Sequence, residues 1–210
     1  MSSGLSRARL ARLHEMLAGH VADGDVPGLV ALAYRRGETH VEVHGTRAFG
    51  GKEKMRRDTI VRIASLTKPV VAAAAMMMVE EGRLRLDDPV DDLLPELANR
   101  RVLRDVSSPL DDTVPAHRSI TLRDLLSFRL GTGAVMVFPS KHPIQKAMDE
   151  AGVAPNPYLV TIPPDEYMKR LGALPLVHQP GERWMYHTGA EVLGVLLARA
   201  AGTSLESLLS

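Results

Sequence analysis

The run Ile63-Ala64-Ser65-Leu66-Thr67-Lys68-Pro69-Val70, continued by apolar residues to Val79, constrains this chain more than any other segment. Proline has no N–H, and its ring collides with the carbonyl four residues earlier, here that of Ser65. A helix through Val70–Val79 therefore cannot extend unbroken back through Ser65, and Ser65 should stand at its start. Gly82 should end it by supplying a left-handed cap. Ser65 and Lys68 are nearly one helical turn apart, so their side chains share a face. Lys68 is the only lysine between Lys54 and Lys141, and the run beyond it carries no charge until Glu80. A lysine stem entering an apolar helix interface is desolvated, which favours the neutral amine. A hydroxyl at a helix mouth, one turn from such an amine, suits nucleophilic chemistry. Taken by itself, the same serine also reads as a plain N-cap.

Composition narrows the function classes. The 210 residues are 45% hydrophobic, enough for one globular domain or most of a two-lobed one. The net charge is +1, and the arginines are scattered, with only short pairs such as Arg35-Arg36 and Arg100-Arg101. Without a basic stripe, nucleic acid is not an expected partner. The chain has no cysteine, which excludes disulfides and thiolate metal sites and fits a reducing compartment. Near the N-terminus, Arg7, Arg9 and Arg12 interrupt Leu5, Leu10, Leu13, Met16 and Leu17 with a helical period, unlike the apolar core of a signal peptide. Val70–Val79 is too short to span a bilayer. The expectation is a soluble, cytoplasmic protein with no membrane span; its oligomeric state is left open.

Periodicity predicts a helix over residues 5–22, then a β-hairpin of 29–34 and 40–45 joined by a turn at 35–38. Residues 59–63 should approach Ser65 in extended form, and the Ser65 helix should cover 67–81. A turn and a short helix are expected over 84–94, and a helix from 120 with Thr121 as N-cap. Residues 131–165 hold Pro139, Pro143, Pro155, Pro157 and Pro163 and read as a long loop, a lid or a site wall. Further helices are expected at 166–171 and 190–201, the latter ending at Gly202. Thr203-Ser204-Leu205-Glu206 opens one more helix, in which the chain stops at Ser210. With only two clear strands, the expectation is a fragment truncated at its C-terminus.

The eight histidines read as dispersed, so no metal site is expected. Asp87-Asp88-Pro89-Val90-Asp91 matches the D-D-x-x-D pattern that holds Mg²⁺–diphosphate, but Pro89 breaks the helix this spacing needs. Turn and cap residues are the expected reading. Met76-Met77-Met78 reads as helix core.

Ser65-Leu66-Thr67-Lys68-Pro69-Val70 resembles the S-x-x-K motif of serine β-lactamases and penicillin-binding proteins. Its T-K-P form is most similar to the class C-related family VIII carboxylesterases. Other segments share the resemblance: Pro27-Gly28-Leu29-Val30, Glu81-Gly82-Arg83-Leu84-Arg85-Leu86-Asp87-Asp88-Pro89-Val90, Ile120–Leu126, Leu174-Pro175-Leu176 and Gln179–Tyr186. It covers about residues 25–210. Tyr186-His187-Thr188 resembles the second motif, Y-x-N in β-lactamases and Y-x-x in the esterases. Thr188 in place of Asn is similar to the esterase branch. Ser127–Gly133 departs from the family's T-H-T-S-G-L. The third motif, K-T-G or H-x-G on a late strand, has no match in its place. His187-Thr188-Gly189 fits the letters but precedes a helix.

The resemblance implies an α+β, β-lactamase/transpeptidase-like fold: an antiparallel sheet flanked by helices, plus a mostly helical lobe. One incomplete domain would cover 1–210, with the N-terminal helix and strands in 5–64 and the helical lobe in 65–210. Ser65, Lys68 and Tyr186 would be the catalytic residues, with an acyl-enzyme on Ser65 and no metal or organic cofactor. The ammonium would lower the phenol's pKa, and either Lys68 or Tyr186 could be the base. Small carboxylic esters are the favoured substrates, with amides such as β-lactams or D-Ala-D-Ala peptides second. An acyltransferase and a non-catalytic binding relative are the alternatives.

Overall fold

The computed structural model describes residues 4–156 and 161–210; Pro157 of the expected proline-rich loop lies outside the described residues. The chain divides into two compact units, Met1–Ile63 and Ala64–Ser210.

In the first unit, helix α1 (Arg7–Ala22) precedes strands β1 (Gly28–Arg35) and β2 (Glu38–Gly45). The strands pair antiparallel with Leu29 opposite His44, Ala31 opposite Glu42 and Ala33 opposite His40. Arg36 and Gly37, with φ of 50° and 83°, make the tight turn. Two successive positive φ values match the right-handed strand twist of a two-residue hairpin. At the open end, Gly28 faces Gly45, and a Cβ on Gly28 would stand 2.4 Å from the Thr46 carbonyl oxygen. Residues 59–63 form no strand.

Period-2 alternation puts His40, Glu42 and His44 on one face of β2 and Val41 and Val43 on the other. The polar face is the one turned to α1, through a hydrogen bond between His14 Nδ1 and Glu42 Oε2 of 2.8 Å. Glu42 is the one buried side chain among the described residues of this unit. Hydrogen bonds from His14 and then His40 outweigh its burial and hold its carboxyl at about 2. The histidines are thus not dispersed: three of the eight meet on one carboxylate. The alternating His40-Val41-Glu42-Val43-His44 carries that signal in the sequence.

The second unit opens with a 3₁₀ turn, Ala64–Leu66, that leads into α2 (Thr67–Glu80). The start agrees with the exclusion exerted by Pro69, and Gly82 (φ 72°) ends the helix. Val71, Ala75 and Met78 are buried at i, i+4 and i+7. Met76 and Met77 point away from that stripe and are exposed, so only Met78 of the methionine run is core. The short helix expected by Leu94 is absent. Turns occupy 84–94, followed by a 3₁₀ turn at Pro95–Leu97. The physical reason is competition for backbone groups. Val90 N–H donates to the Ile120 carbonyl at 2.9 Å and Arg123 N–H to that of Leu86 at 2.8 Å. Within this segment Asp87 pairs with Arg123, and Asp91 accepts from Ser119 Oγ at 2.6 Å.

Two unexpected short strands follow, β3 (Arg101–Leu103) and β4 (Thr113–Pro115), paired antiparallel. Leu176 bonds to β3 on both sides, Leu103 N–H to its carbonyl and its own N–H to Arg101. Helix α3 (Leu122–Leu126) is capped as expected: Thr121 and Asp124 exchange side-chain-to-backbone bonds. Helix α4 (Pro143–Ala151) lies inside the expected loop. Pro143 occupies its first turn, Ile144 and Met148 are buried, and Gly152 closes it in the left-handed region. Helix α5 (Pro164–Ala173) ends where buried Arg100 donates to the carbonyls of Leu171, Gly172 and Leu174. A cation is favoured at that helix end. Helix α6 (Thr188–Ala201) is the axis of the unit, buried through Val192, Leu193, Leu196 and Leu197 and packed by α2, α3, α5 and α7 (Leu205–Leu209).

Candidate active site

Ser65, Lys68 and Tyr186 come together in the second unit. Ser65 sits in the 3₁₀ turn, preceded by Ala64 at φ 44°. A left-handed alanine costs energy and bends the chain sharply, a backbone state that clusters at working sites. One turn on, Lys68 Nζ donates to Ser65 Oγ at 3.2 Å. From the far end of the chain, the Tyr186 hydroxyl donates to the same oxygen at 2.9 Å. The ammonium also stands 5.0 Å from the centre of the Tyr186 ring, within cation–π range. Ser65 is exposed, and its two partners are half-buried.

The tyrosine is held by its backbone. Met185 N–H donates to the Phe128 carbonyl at 2.8 Å and Ala134 N–H to the Tyr186 carbonyl at 2.9 Å. The loop passes close enough that a Cβ on Gly133 would lie 2.7 Å from the Tyr186 carbonyl oxygen, so that position needs glycine. Within the expected long loop, Gly133 and Ala134 contact the tyrosine segment. Phe128 and Trp184 flank the Tyr186 ring at 5.7 and 5.8 Å. They give the phenol an aromatic wall that motif reasoning missed, although Trp184 and Tyr186 stand two residues apart.

Charge at the site is organised around Tyr186. The hydrogen bond with Ser65, followed by the charge of Lys68, holds the phenol below its ordinary value against the opposing effect of burial. Behind it lies a network that the sequence reading also missed. His187 Nε2 bonds Glu191 Oε1 at 2.9 Å across one turn of α6, and the Tyr167 hydroxyl donates to Glu191 Oε2 at 2.7 Å. Burial alone would raise the Glu191 carboxyl; the bonds from His187 and Tyr167, with the Lys68 charge, outweigh it and keep it lowered. Burial, then Glu191, push the Tyr167 phenol up, so it remains a donor. The His187–Glu191 spacing of i, i+4 was the available signal. His187-Thr188-Gly189 opens α6 and is not on a strand.

Comparisons with known proteins identify the class. The sequence model of the Beta-lactamase family matches residues 13–210, and the chain belongs to that family. Its fold is β-lactamase/transpeptidase-like, mixing helices with antiparallel sheets. Protein Rv1367c of Mycobacterium tuberculosis is 40% identical over 178 residues, 84% of this chain and 42% of that protein. Esterase EstB of Burkholderia gladioli is 34% identical over 196 residues, 93% of this chain and 46% of the esterase. The solved structure of EstCE1, described as a hydrolase with promiscuous acyltransferase activity, superposes with a TM-score of 0.79 at 27% identity, covering 96% of this chain and 50% of that one. The chain therefore spans about half the length of the relatives it matches. Among the described residues, no helix is long and apolar enough to cross a membrane.

Proposed function

We propose that the chain carries the acylation centre of a serine hydrolase that acts on small carboxylic esters. The observation that supports this most is the convergence of Lys68 Nζ and the Tyr186 hydroxyl on Ser65 Oγ. Tyr186, with its pKa lowered by the serine bond and by Lys68, is the base in this reading. In its ionised form, which the Lys68 charge favours, Tyr186 takes the Ser65 proton while Oγ bonds to the ester carbonyl carbon. The carbon–oxygen bond to the leaving alcohol then breaks, and the alkoxide takes the proton back from Tyr186. Water repeats the sequence on the acyl-enzyme and releases the acid. The Ser65 N–H is one donor for the oxyanion, at the mouth of α2. The two units belong, in this reading, to one domain.

A second reading follows from the promiscuous acyltransferase activity of EstCE1. The same acyl-enzyme can pass its acyl group to an alcohol in place of water, which makes an acyltransferase by the same steps.

The test compares the chain with Ser65→Ala on p-nitrophenyl esters and nitrocefin, and maps a fluorophosphonate label by mass spectrometry. Ester turnover should fall by about 10⁴-fold or more in Ser65→Ala, and the label should lie on Ser65. Equal turnover by the two proteins, a label elsewhere, or neither turnover nor labelling would overturn the assignment. Adding an acceptor alcohol separates the two readings: an ester product marks transfer, and acid alone marks hydrolysis.

A further inference from the structure

We propose that His14, Glu42 and His44 bind a divalent transition-metal ion of borderline softness, Zn²⁺ being the type, and that the ion clamps α1 to β2. His14 Nδ1, Glu42 Oε2 and His44 Nε2 lie within 4.8 Å of one another. The carboxylate oxygen is 2.8 Å from His14 Nδ1 and 3.1 Å from His44 Nε2. Ligand atoms held tetrahedrally at zinc's usual bond lengths of about 2.0–2.2 Å stand about 3.3 Å apart. The two carboxylate–imidazole distances are already near that spacing, and the two imidazole nitrogens, within 4.8 Å of each other, would close by at most about 1.5 Å around an ion. Two imidazoles and one carboxylate are a zinc donor set, with a fourth position left for water.

The surroundings argue for an ion as well. Glu42 is buried, yet its side-chain partners are three imidazoles, with no lysine or arginine among them. Buried carboxylates are paired with cations or coordinate metals. A dication would supply positive charge at every pH, whereas an imidazole does so only when protonated. His40 Nε2 bonds the other carboxylate oxygen, Oε1, at 2.6 Å, the arrangement by which an outer residue orients a ligating carboxylate. No side chain of α1 is fully buried, and Leu10, Leu13, Leu17 and Val21 are only partly covered, so apolar packing holds the helix less firmly than a buried stripe would. A metal joining His14 on α1 to Glu42 and His44 on β2 would supply that link by tying helix to strand.

The strand pattern explains why these residues meet. His40, Glu42 and His44 share a face because side chains alternate along β2. His14 is 58% exposed at its side chain, so the cluster has an open side through which an ion can enter.

The experiment titrates the metal-stripped chain with Zn²⁺ by calorimetry and with Co²⁺ by visible absorption, and follows thermal unfolding with and without Zn²⁺. The expected result is one Zn²⁺ per chain, the visible d–d bands of cobalt in a low-coordinate site, and a higher unfolding temperature with Zn²⁺. His14→Ala and His44→Ala should each abolish all three. His40→Ala should weaken binding about 10–100-fold. His14 is exposed on a helix and alanine is the strongest helix former, so His14→Ala tests the site in a folded protein, checked by circular dichroism. Zn²⁺ binding equally to wild type and His14→Ala, no binding by wild type, or a preference for Mg²⁺ over Zn²⁺ would each overturn the proposal. Every readout is independent of Ser65, so failure here leaves the hydrolase reading untouched, and the reverse also holds.

Discussion

In the helical unit the buried interior is almost wholly apolar, centred on α6, whereas among the described residues of the hairpin unit the single buried side chain is a carboxylate held by three histidines. Both follow from simple periodicity, but the outcomes are opposite. On α2 and α6 the spacing of i, i+3, i+4 and i+7 turns aliphatic groups inward, and their burial from water stabilises the unit. On β2 the polar residues of the alternation are the ones covered by α1, while Leu32 and Tyr34 of β1 stay exposed. Alternation fixes which residues share a face; it does not fix which face is covered. The helical unit should therefore respond to lost volume and the hairpin unit to lost hydrogen bonding.

Three substitutions probe that contrast, in falling order of effect. Leu197→Ala removes a fully buried side chain of α6 and should cost about 2–5 kcal/mol in denaturant unfolding of the chain. A cost under 1 kcal/mol would mean the interior collapses around the cavity and is less tightly packed than the burial implies.

Asp124→Asn comes next, because it breaks the main polar exception inside the helical unit. Asp124 accepts from Arg118 at 2.6 and 2.9 Å and from the Thr121 backbone at 3.0 Å. Its loss should cost about 1–3 kcal/mol. Burial alone would raise the Asp124 carboxyl, but Arg118 and then Thr121 outweigh it and hold the group below its ordinary value of 3.8. A lowered folded-state pKa stabilises above the unfolded value and stops doing so as pH falls through the folded one. The gap between wild type and Asp124→Asn should thus be constant near neutral pH and close as pH drops below 3.8. A pH-independent gap would assign the effect to packing.

Glu42→Gln should have the smallest global effect and the most local one. An amide has one acceptor oxygen for the three imidazoles that meet at the carboxylate. Amide hydrogen exchange should quicken in α1 and β2 and stay unchanged in α6. Equal protection in both proteins would show that the hairpin unit does not depend on its buried carboxylate.

What could be read from the sequence follows the range of the interaction behind it. The Thr121–Asp124 box, the Arg36-Gly37 turn and the helix ends at Gly82 and Gly202 each rest on contacts within a few residues. Helix α4 was hidden for a local reason too. Proline-rich flanks suggested a loop, although Pro143 suits a first helical turn and Ile144 and Met148 share a face. Strands β3 and β4 were not legible, because three-residue strands carry little pattern and the further partner of β3 is Leu176, far along the chain. The Tyr167–Glu191 bond was not legible because the two residues lie on different helices, whereas the His187–Glu191 spacing was.

The sequence by itself determined that Ser65 and Lys68 stand at a helix mouth on one face, because a proline ring and a three-residue spacing act within a single turn. It also determined that His40, Glu42 and His44 share one side of a strand. Tertiary structure alone decided that Tyr186 reaches Ser65 across 121 residues, since this needs the backbone bonds from Met185 to Phe128 and from Ala134 to Tyr186 and the close approach at Gly133. It alone decided that the polar face of β2 lies under α1, because only the docking of a helix selects one of two faces that alternation leaves equivalent.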